Sequence, residues 1–145
     1  MTCKITLSLI SESLTGDVGN DWAYSLKADM LDPLVFGSGT IQVTEHLLRP
    51  GSTQEPPNQG RAIQLDAGDC GAEVRVRLTL EATEVDFLVD DHGSNVLVVP
   101  VNCPAPGAEP YTIEAVIAAR VKEAPGFQGG MAELRVKVRL VARCV

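Results

Sequence analysis

Histidine is nearly absent from this chain: its 145 residues contain only His46 and His92. Neither sits in a metal-ligand pair or beside a plausible nucleophile in sequence, so acid–base and nucleophilic chemistry have little to work with. There is no glycine-rich phosphate loop, nucleophile elbow or zinc-protease helix motif, and Ser11, Ser13, Thr15 and Ser94 lack a recognisable base. The expectation is a protein that is not an enzyme. Positive charge is scarce too: 12 Lys and Arg against 19 Asp and Glu give a net charge of -7. Non-specific nucleic-acid binding is therefore not expected, because it needs a basic footprint to displace counterions from phosphates. An acidic surface favours cations or basic partners. The longest apolar run, Val96 to Val101, contains a proline and falls far short of the roughly 20 residues that span a bilayer. Alternating residues begin at Cys3, which leaves no room for the basic start and apolar core of a secretion signal, so a cytoplasmic location is expected. Without repeats, low-complexity tracts or linkers, residues 1–145 are expected to form a single domain.

What is present is period-two alternation. Cys3, Ile5, Leu7 and Leu9 share one face of a first strand, and Trp22, Tyr24, Leu26, Ala28 and Met30 one face of a second. Thr40 to Leu47 gives a third, with Ile41, Val43 and Leu47 as candidate inward positions, and Arg61 to Leu65 a short fourth. In the fifth, Val74, Val76, Leu78, Leu80 and Ala82 alternate with Arg75, Arg77, Thr79, Glu81 and Thr83. Asn95 to Cys103, the sixth, is rich in valine at both parities and reads as a central strand or one packed on both faces. The seventh is Tyr111 to Val121, whose alanines also admit a helix. In the eighth, Leu134, Val136, Val138 and Leu140 face in, and Arg135, Lys137 and Arg139 face out. Proline and glycine clusters separate these segments. The predicted fold is all-β, an eight-stranded antiparallel β-sandwich.

Strands running alternately up and down place the loop Gly16 to Asp21, between strands one and two, at the same pole as the loop Glu84 to Gly93, between five and six. The Arg49 to Gly60 and Ala124 to Gly130 loops belong to that pole. Cys3, Cys70, Cys103 and Cys144 all belong to the opposite one. There they are buried small residues, disulfides in one of three connectivities, or a four-thiolate zinc site lacking any Cys-x-x-Cys spacing.

The two acidic loops carry the chemistry. Calcium takes six to eight oxygen ligands, more than one short loop usually supplies. Asp86, Asp90 and Asp91 offer carboxylates, Asp17 and Asp21 approach from the first loop, and Asn20, Glu84 or backbone carbonyls complete the shell. Without a cation these carboxylates repel one another. His92, beside Asp91, would make that pole respond to pH.

Glu84-Val85-Asp86, followed by Asp90-Asp91 and Gly93, resembles the synaptotagmin-like calcium-dependent phospholipid-binding domain, also called the C-two domain. Asn20-Asp21-Trp22-Ala23-Tyr24 is similar to that family's first loop, an acidic turn leading into an aromatic-rich strand. Glu84 stands where the family usually has Asp, and no lysine-rich strand suggests phosphoinositide binding. The resemblance implies an eight-stranded antiparallel sandwich that binds calcium and docks onto phospholipid. It also implies that Val18, Leu88, Val89 and Phe127 are tip residues that insert into the membrane. The leading expectation is a calcium-binding module that docks to a membrane or protein partner through one pole. The alternative is a non-catalytic structural or assembly subunit, forming homo-oligomers or meeting an acidic partner through the Arg135, Lys137 and Arg139 row. A calcium-containing sugar-binding sandwich is a third reading, with Trp22 and Tyr24 as platforms, although their parity points them into the core.

Overall fold

A computed structural model describes residues 1–16, 18–32, 37–57, 60–86, 89–123 and 130–145. The chain runs through nine strands: β1 (Thr2–Gly16), β2 (Asp21–Asp32), β3 (Ser38–Leu47), β4 (Thr53–Gln54), β5 (Ala62–Asp69), β6 (Glu73–Glu84), β7 (Asp91–Asn102), β8 (Tyr111–Lys122) and β9 (Met131–Cys144). Among the described residues there is no helix, so the alanine-rich segment at β8 is a strand. All eight expected strands are present. The ninth, β4, is a two-residue strand against Glu12 and Ser13, too short to show alternation.

Two antiparallel sheets form. In one, β4, β1, β9 and β8 follow in order, with β5 on the same flank of β1 as β4; in the other the order is β3, β2, β6, β7. Inward side chains from both sheets make one hydrophobic cluster, including Ile5, Leu7, Leu26, Leu78, Leu80, Leu134, Val136 and Leu140. Each such side chain contributes about 1.5–3 kcal/mol on burial. Along one side the sheets approach each other through β7 and β8, where Asn95 Nδ2 donates to the Ala118 carbonyl at 2.8 Å. Thr2 and Val145 exchange two backbone hydrogen bonds, of 2.8 and 2.9 Å, so the ends of the chain lie together.

Three expectations need correction. Val96 is 53% exposed and Val98 41%, while Val99 and Val101 are buried. The strand, β7, is the outer one of its sheet and not a central one, and like interior β6 it meets the core with one face only, its other face having nothing packed on it among the described residues. Leu47 is exposed and Leu48 buried, because β3 carries an extra residue between Val43 and His46 opposite Tyr24 and Trp22, and such a bulge reverses parity. The outward row of β9 is not an open basic surface. Lys137 and Arg139 both reach Glu114 at 3.1 Å, and Arg135 reaches Glu133 at 2.6 Å. Exposed pairs of this kind contribute at most about 1 kcal/mol each, and with two carboxylates shared among the cations they offset the row's positive charge only in part.

The four cysteines gather at one pole and pair as Cys3–Cys103 and Cys70–Cys144, with Cα–Cα distances of 5.9 and 5.6 Å. Cys3 and Cys144 face each other across β1 and β9, yet each bonds elsewhere. Cys3 reaches the residue after β7, in the other sheet, and Cys144 the turn between β5 and β6. No described cysteine is left for a thiolate zinc site. These bridges span 100 and 74 residues, and removing a disulfide that closes a long loop costs about 2–5 kcal/mol. Replacing Cys70 and Cys144 by serine is expected to lower the urea midpoint accordingly, as measured by equilibrium denaturation.

Candidate metal centre

The acidic site is built by register. Glu84 ends β6 between Trp22 of β2 and Asp91 of β7, so these three residues form a row across the loop end of one sheet. Alternation continues the inward series Leu78, Leu80, Ala82 to position 84. The carboxylate of Glu84 therefore points where an apolar side chain would otherwise sit, and Glu84 is only 5% exposed. Asp91 is buried as well, and Asp86 is exposed. One carboxylate oxygen from each of Glu84, Asp86 and Asp91 lies within 4.8 Å of the other two.

One backbone hydrogen bond joins the two loops, and two further bonds anchor the first loop to the end of β3 and to the Trp22 indole. Val85 N donates to the Asp21 carbonyl at 2.8 Å, Leu48 N to the Asn20 carbonyl at 2.7 Å, and Trp22 Nε1 to the Gly19 carbonyl at 3.0 Å. Asp86 N donates to Asp90 Oδ1 at 3.0 Å, closing the turn after β6. The predicted convergence of these loops is thus observed.

Of the seven expected ligands, Glu84, Asp86 and Asp91 come together in the cluster. Asp21 and Asp90 lie close enough to act on Glu84 electrostatically. Asn20 is exposed, and its carbonyl is engaged by Leu48. Asp17 lies outside the described residues, as do Leu88 and Phe127. Val18 packs against the core, whereas Val89 is 47% exposed. His92 is exposed, with Nδ1 3.0 Å from Thr83 Oγ1. Trp22 and Tyr24 are buried and offer no sugar platform.

Glu84, reckoned from sequence as a supplementary ligand, is the central group. Its Oε2 is buried and has no hydrogen-bond partner among the described residues. Burial first, and then the charges of Asp86, Asp91, Asp21 and Asp90, raise its pKa from an ordinary 4.5 to about 7. A buried carboxylate lacking donors and surrounded by like charges favours the proton. It would equally favour a cation.

A second buried carboxylate, which sequence reasoning missed, lies on β1. The register of β1 against β9 slips between Leu9 and Ser11, and this bulge turns Glu12 inward, where it is fully buried. The β3 bulge turns His46 toward it. Tyr24 Oη donates to Glu12 Oε1 at 2.8 Å, Gln54 Nε2 donates to Oε2 at 2.9 Å, and His46 Nε2 lies 2.5 Å from Oε2. His46 Nδ1 faces the Thr44 carbonyl at 2.8 Å and so carries a hydrogen. Burial, then the charge and hydrogen bond of Glu12, push the Tyr24 phenol well above its usual range. No sequence signal marked this network, because each bulge inverts the parity on which the reading rested.

No family model and no curated protein matches the chain.

Two predictions follow from the two carboxylates. Tyr24→Phe removes a donor from buried Glu12 and is expected to cost about 1–3 kcal/mol in denaturant unfolding. For Glu84 the folded pKa lies above the unfolded one, so the protonated form is favoured by folding. Its contribution to stability is full below about 4.5, declines as pH rises, and is lost above about 7. The melting temperature of chelator-treated protein should therefore fall between pH 4.5 and 7.5, and Glu84→Gln should flatten that slope.

Proposed function

We propose that this protein is a calcium-binding β-sandwich module that docks onto a membrane surface or a protein partner through its acidic pole. The single observation that carries the reading is the unpartnered, buried Oε2 of Glu84 in a cluster with Asp86 and Asp91. At Glu12 the same fold supplies Tyr24, His46 and Gln54 to a buried carboxylate. At Glu84 no described protein group does so, and a cation would satisfy what the protein leaves unsatisfied. The cluster offers only oxygen donors. That suits a hard cation such as calcium better than metals that prefer nitrogen or sulfur. Asp21, Asp90, backbone carbonyls and water would complete the coordination.

The shared core of the two sheets supports the sandwich arrangement. The similarity of Glu84-x-Asp86, Asp90-Asp91 and Gly93 to the C-two pattern supports docking once the carboxylates are neutralised, with exposed Val89 beside them. Two disulfides support an oxidising compartment over the reducing cytoplasm, because such bonds persist where thiols are not continually reduced. Exposed Val96 and Val98 on the outer strand β7 favour a second reading, calcium-independent assembly with another copy or a partner.

Calorimetric titration of chelator-stripped protein with calcium distinguishes them. The expected result is binding that raises the melting temperature and is lost in Asp86→Asn and Glu84→Gln, followed by calcium-dependent attachment to anionic vesicles. No heat and no calcium-dependent rise in melting temperature would refute the cation site. Self-association unaffected by chelator would then establish the assembly reading.

A further inference from the structure

We propose that Gly19 and Glu84 are a size-matched pair that sets the position of the central carboxylate, with Trp22 as the brace that keeps the pair in contact; the role in cation binding rests on the reading above. A Cβ added at Gly19 would overlap Glu84 Oε1 and lie only 2.7 Å from Cδ and 3.1 Å from Cγ. The end of the Glu84 side chain thus occupies the space that any larger residue at position 19 would need.

Hydrogen bonds hold the loop at Gly19 and the two residues that follow it. The carbonyls of three consecutive residues are each held by a different donor: Gly19 by the Trp22 indole at 3.0 Å, Asn20 by Leu48 N at 2.7 Å and Asp21 by Val85 N at 2.8 Å. Trp22 is fully buried and stands directly opposite Glu84 in the sheet register. Glu84 itself is nearly enclosed. A methyl group at position 19 must therefore displace the carboxylate from Asp86 and Asp91 rather than shift the loop. Gly19 acts as a positioning residue without offering a side-chain ligand. Gly19 also has φ +156°, a backbone conformation that residues with a side chain rarely adopt, so Gly19→Ala carries a backbone cost that residue 84 does not control; the contact with Glu84 is the part of the constraint that the length of the acid sets.

Such a pair has a signature that loop damage alone lacks, which is rescue by shortening the acid. The test compares wild type, Gly19→Ala, Glu84→Asp and the double variant. Calcium affinity is read from the emission of Trp22, the chain's single tryptophan, and melting temperatures are measured in chelator. Gly19→Ala is expected to weaken calcium binding roughly tenfold or more and to lower the melting temperature in chelator. The double variant is expected to recover part of both relative to Gly19→Ala, the backbone cost at position 19 remaining, and this non-additivity marks direct contact. Calcium binding by Gly19→Ala equal to that of wild type, or strictly additive losses in the double variant, would overturn the proposal. If wild type binds no calcium, the cation reading fails. The pair is then judged by the chelator melting temperatures alone, rescue supporting it and additivity refuting it. If Gly19→Ala does not fold, recovery of folding in the double variant supports the pair, and failure to recover refutes it.

Discussion

A carboxylate shut away from water must be met by donors or by a cation, and the loop end of this fold is organised around two of them. Glu12 is enclosed by a phenol, an imidazole and an amide contributed by three different strands. Those contacts join β1, in one sheet, to β2 and β3 in the other, so a polar group links the two sheets beside buried Leu14, Trp22 and Leu48. Glu84 is the converse case, enclosed on one side by the backbone at Gly19 and faced by other acids. One end of the molecule thus contains a buried charge that the protein satisfies and another that it leaves unsatisfied.

The fold was legible because most strands obey a single rule. Val74, Val76, Leu78, Leu80 and Ala82 alternate with polar residues, and so do Leu134, Val136, Val138 and Leu140. The same periodicity, carried through strand direction, correctly placed the two acidic loops beside each other and the four cysteines at one end. Its failures have two causes. A bulge adds a residue that leaves no mark in composition, so Glu12 and His46 turned inward and Leu47 outward. What covers the second face of a sheet is equally silent in a sequence: the valines of β7 read as central or doubly packed, but the strand lies at the edge of its sheet and only one of its faces meets the core.

The candidate site was legible as a neighbourhood and not as a geometry. Acidic residues in two turns announced where a cation would be held, but their count could not rank them. Glu84 gains its importance from lying on the inward parity of β6, one step beyond Ala82, a position that alternation alone would have assigned to an apolar side chain. Asp90, which reads as an equivalent ligand, also accepts a hydrogen bond from the Asp86 backbone and so shapes the turn. Residue type suggested the chemistry, and register determined which carboxylate is deprived of water.

The paired ends of the chain bear on how the acidic loops present themselves. Thr2 and Val145 are hydrogen-bonded to each other at the disulfide pole, so anything fused at either end would extend from the side away from Glu84. A tether at both ends would hold the molecule like a hand gripped at the wrist, with its acidic fingertips pointing outward. A short peptide closing Val145 onto Met1 would make a circular chain whose new ends could be opened in any exposed turn, and the loop end would keep its place in the fold.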